Sequence, residues 1–530
     1  MAKVVVIYPR ETDPPVETNS FRARMPRYGV LSIASHLAAH GHAVRVFCEL
    51  TGATIDWPTV AAADFVCFSF LSYCAKRAYS LARRVRGEYG KTVIMGGSHV
   101  SVLPEEALDF CDYVVRNEGE AALLELLDAL TGRRNVGRIG GLSYRDGKGN
   151  IVHNPDRAFD ADLAIPLQPE LIPEYRSWGF SSAAIGDAWR NAMPRVALPI
   201  LQTSRGCPHS CLFCVVRQQL GARYRKRPIP VILEELAAYR RLIRSPYVYF
   251  ADNDLAAEPD FSIELLQAIQ ARFGTDLRIY LFCRLAIARE EKLLQLLERF
   301  AGVTLGIGFE ALTDEALAEL NKPQRFADIQ DAVGALRNRR LDVHGLFIVG
   351  NENDPPDVVR RCVDFAVSNR FANIALTPPY DFPGAHGQSA QPRLVPDHLL
   401  IHRDWRFFSG NFVVHFPKRI RPGDLQREVI AGYDAFARRT PNSMVKYLPI
   451  RATAAKYINY LHSVEGAFYD HRNERIEERA AARRLDDLAD DLPIAVSRAS
   501  MYRETIRFLG LNALRPASWR ILSKVLLLQR

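Results

Sequence analysis

Two runs in which short β-branched segments alternate with helical patterns, one over the first ~130 residues and one from about 197 to 380, leave this 530-residue chain few folds to adopt. In the first run KVVVIY (3–8), HAVRVF (42–47), DFVCFSF (64–70), KTVIMGG (91–97) and DYVV (112–115) read as strands. Helical patterns fall near 28–40, 74–89, 104–110 and 119–131. Strands that alternate with helices build a parallel sheet with helices on both faces, so residues 1–135 are expected to form a doubly wound, Rossmann-like α/β domain. Such sheets take ligands at the carboxyl ends of their strands.

Residues 136–195 break the pattern and form a connector. GGLSYRDGKGNIVHN reads as a hairpin with a glycine-rich turn, and LAIPLQPELIPEY carries three prolines. The second run, assigned to residues 196–395, has strands at ALPILQTS, 247–252, 277–284, 303–310, 342–350 and 373–379, each followed by a helical stretch. Six strand-helix units predict an open (β/α)6 partial barrel of the TIM type, with functional residues on the loops after the strands. Residues 396–530 read as a mostly helical, polar C-terminal region that carries no recognisable motif. Its arginine-rich stretch HRNERIEERAAARRLDD is most simply solvated helix with local ion pairs.

A chain of this length exceeds what one core fills, in keeping with two or three domains. No window of about 18 apolar residues is present, so no membrane span is expected. The apolar start, MAKVVVIYPRE, is too short for a signal segment and reads as a first strand. These features favour the cytoplasm, where thiols stay reduced and clustered cysteines bind metal more often than they form disulfides. The net charge of +9 raises the question of nucleic acid, but the basic residues are spread along the chain without a recognition motif, and nucleic acid is not an expected partner.

One stretch gathers three of the nine cysteines: 205-RGCPHSCLFCVV-216, with Cys207, Cys211 and Cys214 on the loop after the first strand of the second run. A structural zinc site wants four closed ligands and a ferredoxin-type cluster normally has four cysteines, so three thiolates imply an iron left open. Cys48, Cys67, Cys74, Cys111, Cys283 and Cys362 sit in strand or helix patterns, where cysteine packs as a small hydrophobe.

CPHSCLFC resembles the CxxxCxxC signature of the radical S-adenosylmethionine (SAM) superfamily. The resemblance implies a [4Fe-4S] cluster on Cys207, Cys211 and Cys214, whose open iron chelates SAM, and a reductive cleavage that yields a 5'-deoxyadenosyl radical. It further implies a small-molecule substrate and an electron donor such as flavodoxin or ferredoxin. By position Asp252, Asn253 and Asp254 (FADND), Arg284 and Glu310 (GIGFE) resemble that superfamily's contacts to SAM, although an acid or arginine at a strand end also serves as a helix cap or an ion partner.

The N-terminal run adds a second likeness. Ser69 and Leu71 in FSFLSY, and Gly96, Gly97 and Ser98 in MGGSH, resemble two of the three signatures of the cobalamin-binding fold; the alternative is a plain nucleotide-binding or flavodoxin-like domain. The third signature, which supplies a histidine to cobalt, is replaced by YPRETDPP. GGSHVSVLPEEAL, RNEGEAALLELL and RARMPRYGVLSIASHL resemble further stretches of the cobalamin (B12)-dependent radical SAM enzymes, so the likeness covers roughly residues 1–390.

That class mostly methylates unactivated carbon or phosphorus, which makes a class B-like methyltransferase the expected activity. A cyclase or ring-remodelling oxidoreductase of the same architecture is the alternative, and a cofactor sensor acting on nucleic acid is a third reading from a different class. The cysteines do not form the N-terminal set of methylthiotransferases. TPPYDFPGAHG, after the sixth strand, offers Tyr380 and His386 as substrate contacts, or else is a proline-rich turn joining the barrel to the C-terminal helices.

Overall fold

The computed structural model describes residues 1–10, 27–132, 135–159, 162–177, 198–243, 245–380, 395, 399–402 and 404–440. The first sheet has seven strands: β1 Lys3–Tyr8, β2 Ala43–Cys48, β3 Phe65–Ser69, β4 Thr92–Gly96, β5 Tyr113–Val115, β6 Leu142–Arg145 and β7 Ile151–His153, in the order β2-β1-β3-β4-β5-β6-β7. β1 to β5 pair in parallel. Their near-continuous apolar runs are buried because the helices Tyr28–Ala39, Ala75–Tyr89 and Glu120–Leu130 pack against them, as a parallel sheet requires. The hairpin read in the connector is the antiparallel margin of this sheet, with Val114 facing Ser143.

The second sheet, made of β8 Ile200–Leu201, β11 Tyr247–Phe250, β12 Arg278–Cys283, β13 Gly302–Glu310, β14 Asp342–Ile348 and β15 Asn373–Thr377, is parallel and runs in chain order. Its helices Ile229–Leu242, Pro259–Phe273, Glu291–Leu297, Phe326–Leu336 and Val358–Ser368 make the crossovers. Among the described residues β8 and β15 each pair with one strand and not with each other, so the barrel is open there. Between β8 and β11 a short antiparallel pair, β9 Ser204–Arg205 and β10 Arg225–Lys226, closes the base of the cysteine loop.

The two sheets are stitched by the rest of the connector. Leu167 N donates to Glu235 Oε1 at 2.7 Å and Gln168 N to Ser35 Oγ at 2.8 Å, so one extended segment grips a helix of each half. The described C-terminal residues pack back on both. The helix Pro422–Arg439 lies on β15, and the Trp405 indole N–H donates to Glu106 at 3.1 Å. No helix among the described residues is long and apolar enough to cross a membrane. The basic stretch at 471–487 lies outside the described residues.

Candidate active site between the two sheets

The cysteine loop is fastened at its start by Asp252, at the carboxyl end of β11. This buried carboxylate accepts from Thr203 N at 3.0 Å, Thr203 Oγ1 at 2.8 Å and Ser204 Oγ at 2.5 Å, which sets the direction in which the chain leaves β8 and enters β9. Burial raises its pKa, against the pull of those same bonds. Gly206 follows at φ +88°, and a Cβ there would lie 2.1 Å from Arg223 O; only glycine lets the two sides of the loop approach. Cys207 N then donates to Gly221 O at 3.1 Å, Leu212 N to Leu320 O at 3.2 Å, and Asn321 Nδ2 to Ser210 O at 2.9 Å.

Cys207, Cys211 and Cys214 are free thiols, each half-buried. Burial raises Cys211, opposed by the charges of Lys322 and Arg284; Cys214 is pushed up to about 11 by burial, with the other two cysteines adding to the shift. The three thiols therefore share one electrostatic neighbourhood. Among the described residues, no group of three His, Cys, Asp or Glu stands in the geometry of a preformed metal site.

The strand ends expected to meet SAM surround this loop. Arg284 Nη1 donates to His209 Nε2, and burial followed by the Arg284 charge lowers the imidazole pKa, which keeps it an acceptor. Asp254 is buried and accepts from Ala256 N at 3.2 Å and Arg284 N at 3.3 Å. The side-chain nitrogen of Asn253 is buried without a hydrogen-bond partner among the described residues. Glu310 closes β13 at a bulge, with φ +65°, and its Oε1 accepts from Lys322 Nζ at 2.9 Å. Lys322 also donates to Gly308 O at 3.1 Å and stands 5.7 Å from the centre of the Phe213 ring, inside the cysteine loop. Tyr380 is half-buried; its pKa is raised by burial and by its nearness to Cys214. His386 lies outside the described residues, as do residues 11–15 of YPRETDPP.

A cavity of about 290 Å³ opens at the carboxyl ends of β1, β3, β4 and β5, and its far wall comes from the second half of the chain. Ser69, Gly96 and Gly97 line it together with Tyr28, Glu118, Glu120, Gln202, Arg205 and Ala251. Gly97 has φ +99°, and a Cβ would lie 2.7 Å from Phe70 O, so the ends of β3 and β4 pinch together and backbone forms that wall. Leu71 packs on the apolar core instead, and the Ser98 carbonyl accepts from Gln219 Nε2 at 3.5 Å. None of the described lining residues is a histidine. His99, just past the glycine pair, is fully buried and engaged by Ser72 Oγ at 2.9 Å, Tyr79 OH at 3.0 Å and Glu106 Oε1 at 3.3 Å.

Composition and motif gave no cue to the ions at this wall. Arg205, two residues before Cys207, donates to Glu118 Oε1 at 3.2 Å, Glu120 Oε1 at 2.7 Å, Ser32 Oγ at 3.0 Å and Gln202 Oε1 at 2.9 Å. Arg225, opposite Arg205 in the β9–β10 pair, reaches both oxygens of Glu118 at 2.6 and 3.0 Å. Burial disfavours the Glu120 carboxylate, but the Arg205 guanidinium outweighs it and holds the pKa near about 2. RNEGE was noticeable as a stretch; that Glu118 and Glu120 fold against the cysteine loop was not.

Three reduced thiols, with the Arg284 and Lys322 charges acting on Cys211, suit a cluster with one open iron, and the unpartnered Asn253 nitrogen, next in the chain to Asp254, suits a polar ligand. The backbone-walled cavity suits the face of a large, flat cofactor. The family model of the B12 binding domain matches residues 16–127, and that of the radical SAM superfamily matches residues 201–365. The chain is 25% identical over 416 residues to bacteriochlorophyllide d C-12(1)-methyltransferase of Chlorobaculum tepidum, covering 76% of this chain and 82% of the relative. It is 25% identical over 384 residues to the anaerobic magnesium-protoporphyrin IX monomethyl ester cyclase of Rubrivivax gelatinosus, covering 69% and 63%. In fold it resembles the radical SAM methyltransferase TsrM of Kitasatospora setae, solved with cobalamin and a [4Fe-4S] cluster, with a TM-score of 0.58 at 19% identity over 72% of this chain and 76% of that one. The order expected from the motifs, cobalamin domain first and radical domain second, is found in the domain matches, and the chain carries a B12 binding domain followed by a radical SAM superfamily domain.

Proposed function

We propose that the chain is a methyltransferase that acts on an unactivated carbon or phosphorus of a small molecule. Cys207, Cys211 and Cys214 would hold a [4Fe-4S] cluster, Asn253, Asp254, Arg284 and Glu310 would contact SAM, and Ser69, Gly96 and Gly97 would bed cobalamin. When bound, these groups supply a carbon-centred radical and a transferable methyl; the electrons come from a donor such as a flavodoxin or ferredoxin.

The chain's own residues supply placement and charge. Lys322 and Arg284 set a positive field that favours thiolate at the loop, countering burial. The Glu310–Lys322 pair fixes the end of β13 beside that loop, and Tyr380 bounds it on the side of Cys214, where we place the substrate. The carrying observation is that one cavity is lined both by the glycine pair of the first sheet and by Arg205 of the cysteine loop.

The test begins with anaerobic reconstitution using iron, sulfide and hydroxocobalamin. Cys211→Ala is expected to abolish reductive SAM cleavage while still binding cobalamin, and full cleavage by that variant would overturn the assignment. The similarity to a cyclase supports a ring-forming oxidation as the second reading. Product mass separates the two: methyl transfer adds one methylene, and cyclisation adds none.

A further inference from the structure

Arg205 is almost completely buried two residues before the first cluster cysteine, yet apart from Gln202 its hydrogen-bonding partners belong to the first half of the chain. Glu118 and Glu120 flank Gly119 where the loop after β5 enters the helix Glu120–Leu130, and all three residues line the cavity, as Arg205 does. The antiparallel β9–β10 pair sets Arg225 opposite Arg205, so two guanidinium groups from the base of the cysteine loop meet two carboxylates from the first sheet. Arg205, Glu118 and Glu120 line the cavity and, with Arg225, also anchor the loop.

Charges so arranged respond to what fills the cavity. A large ligand expels water from the wall, lowers the local dielectric and strengthens the attraction of Arg205 for Glu118 and Glu120. The loop then loses less freedom when its thiols bind a cluster, and a loop already fixed by a cluster presents a finished wall to the ligand. We propose that Glu118 and Glu120 are positioning residues which, through Arg205 and Arg225, couple cobalamin binding to the conformation of the cysteine loop, so that each cofactor favours the other. This rests on the reading that cobalamin fills the cavity and the cluster sits on the three thiols.

Linkage makes the coupling measurable from either side. Hydroxocobalamin is titrated anaerobically, by its visible spectrum, into cluster-free and reconstituted protein. The wild-type chain is expected to bind it about fivefold or more tightly with the cluster in place. In Glu120→Gln and Glu118→Gln, which keep the side-chain shape and remove the charge, that ratio should fall toward one. A purely structural role would lower both affinities and leave the ratio alone. A wild-type ratio near one, or an undiminished ratio in both variants, overturns the proposal. Should Glu120→Gln fail to fold, Arg225→Gln, at the more exposed side of the ion cluster, carries the same expectation. Wild-type protein that takes up no hydroxocobalamin or no iron would instead refute the cofactor reading, and the coupling with it.

Discussion

Lys322 holds its ammonium group against Glu310, and both side chains are about nine-tenths shielded from solvent. Removing one partner of such a pair strands the other charge, at a cost of about 3–5 kcal/mol, whereas removing both leaves a neutral contact. Lys322→Met should therefore shift the urea unfolding transition by roughly 3 kcal/mol, and Glu310→Gln with Lys322→Met should recover most of that. The double variant should still bind SAM poorly by equilibrium dialysis, because the proposed Glu310 contact is gone. A single-variant cost below about 1 kcal/mol would mean that the pair is solvated. Glu310 was legible in the sequence because GIGFE ends a strand, but Lys322 was not. It lies in the polar turn NKPQ, where a lysine reads as surface, and only the bulge at Gly308 turns Glu310 back toward it. Asp252 illustrates the converse. Its position at a strand end was legible, but its hydrogen bonds to Thr203 and Ser204, which aim the cysteine loop, depend on the pairing of β8 with β11.

At the scale of elements, an open sheet must protect its edges, since an exposed row of N–H and C=O groups pairs with other chains. β15 is covered by the helix Pro422–Arg439, where Gly432 lets the helix approach Val359, Val363 and Leu376, and Tyr433 OH accepts from Leu376 N at 2.7 Å and donates to Leu376 O at 3.1 Å. One hydroxyl thus satisfies both backbone groups of an edge residue. Tyr433→Phe leaves a buried N–H and C=O without that partner, at a cost of about 1–3 kcal/mol. Hydrogen exchange followed by mass spectrometry should show faster exchange of the peptide containing Leu376, with little change in β12 or β13; uniform acceleration through the sheet would contradict a local role. The six strands themselves were readable to within a few residues, because each is an apolar run bounded by amphipathic helices. The hairpin at 142–153 was readable as a hairpin, but its place beside β5 was not, because that pairing is decided by contacts such as Arg116 with the Leu142 carbonyl and Asp156. The cap on β15 was equally hidden, since it depends on a helix beginning 45 residues beyond the strand's last residue.

The whole molecule carries buried titratable groups whose ionisation links its stability to pH. His402 and His415 are buried and neutral, each lowered to about 4 by burial; His402 faces Asp404 and Arg406, while His415 Nε2 donates to Gly350 O at 3.0 Å. Asp354 accepts from the N–H of the same Gly350 at 2.8 Å, and burial raises it to about 6. The signs oppose one another. A histidine lowered on folding contributes stability that is present above about pH 6.5 and is lost as the pH falls toward 4, since only the unfolded chain takes up its proton there. A raised carboxyl does the reverse, favouring the folded state at low pH and losing that contribution as the pH rises through about 6. Two histidines against one carboxyl leave about one more proton on the unfolded chain across this window, so these groups together destabilise the fold on acidification by roughly 1.4 kcal/mol per pH unit. His415→Gln isolates one share, because the amide can still donate to Gly350 O but does not titrate. The stability difference between wild type and this variant, from urea titrations between pH 4.5 and 7, should be nearly flat above about pH 6.5 and below about pH 6 should move against the wild type by about 1.4 kcal/mol for each unit of acidification. Parallel curves would show that His415 titrates in the folded chain as it does in the unfolded one, and that the loops after β14 and β15 are open to water where the structure closes them.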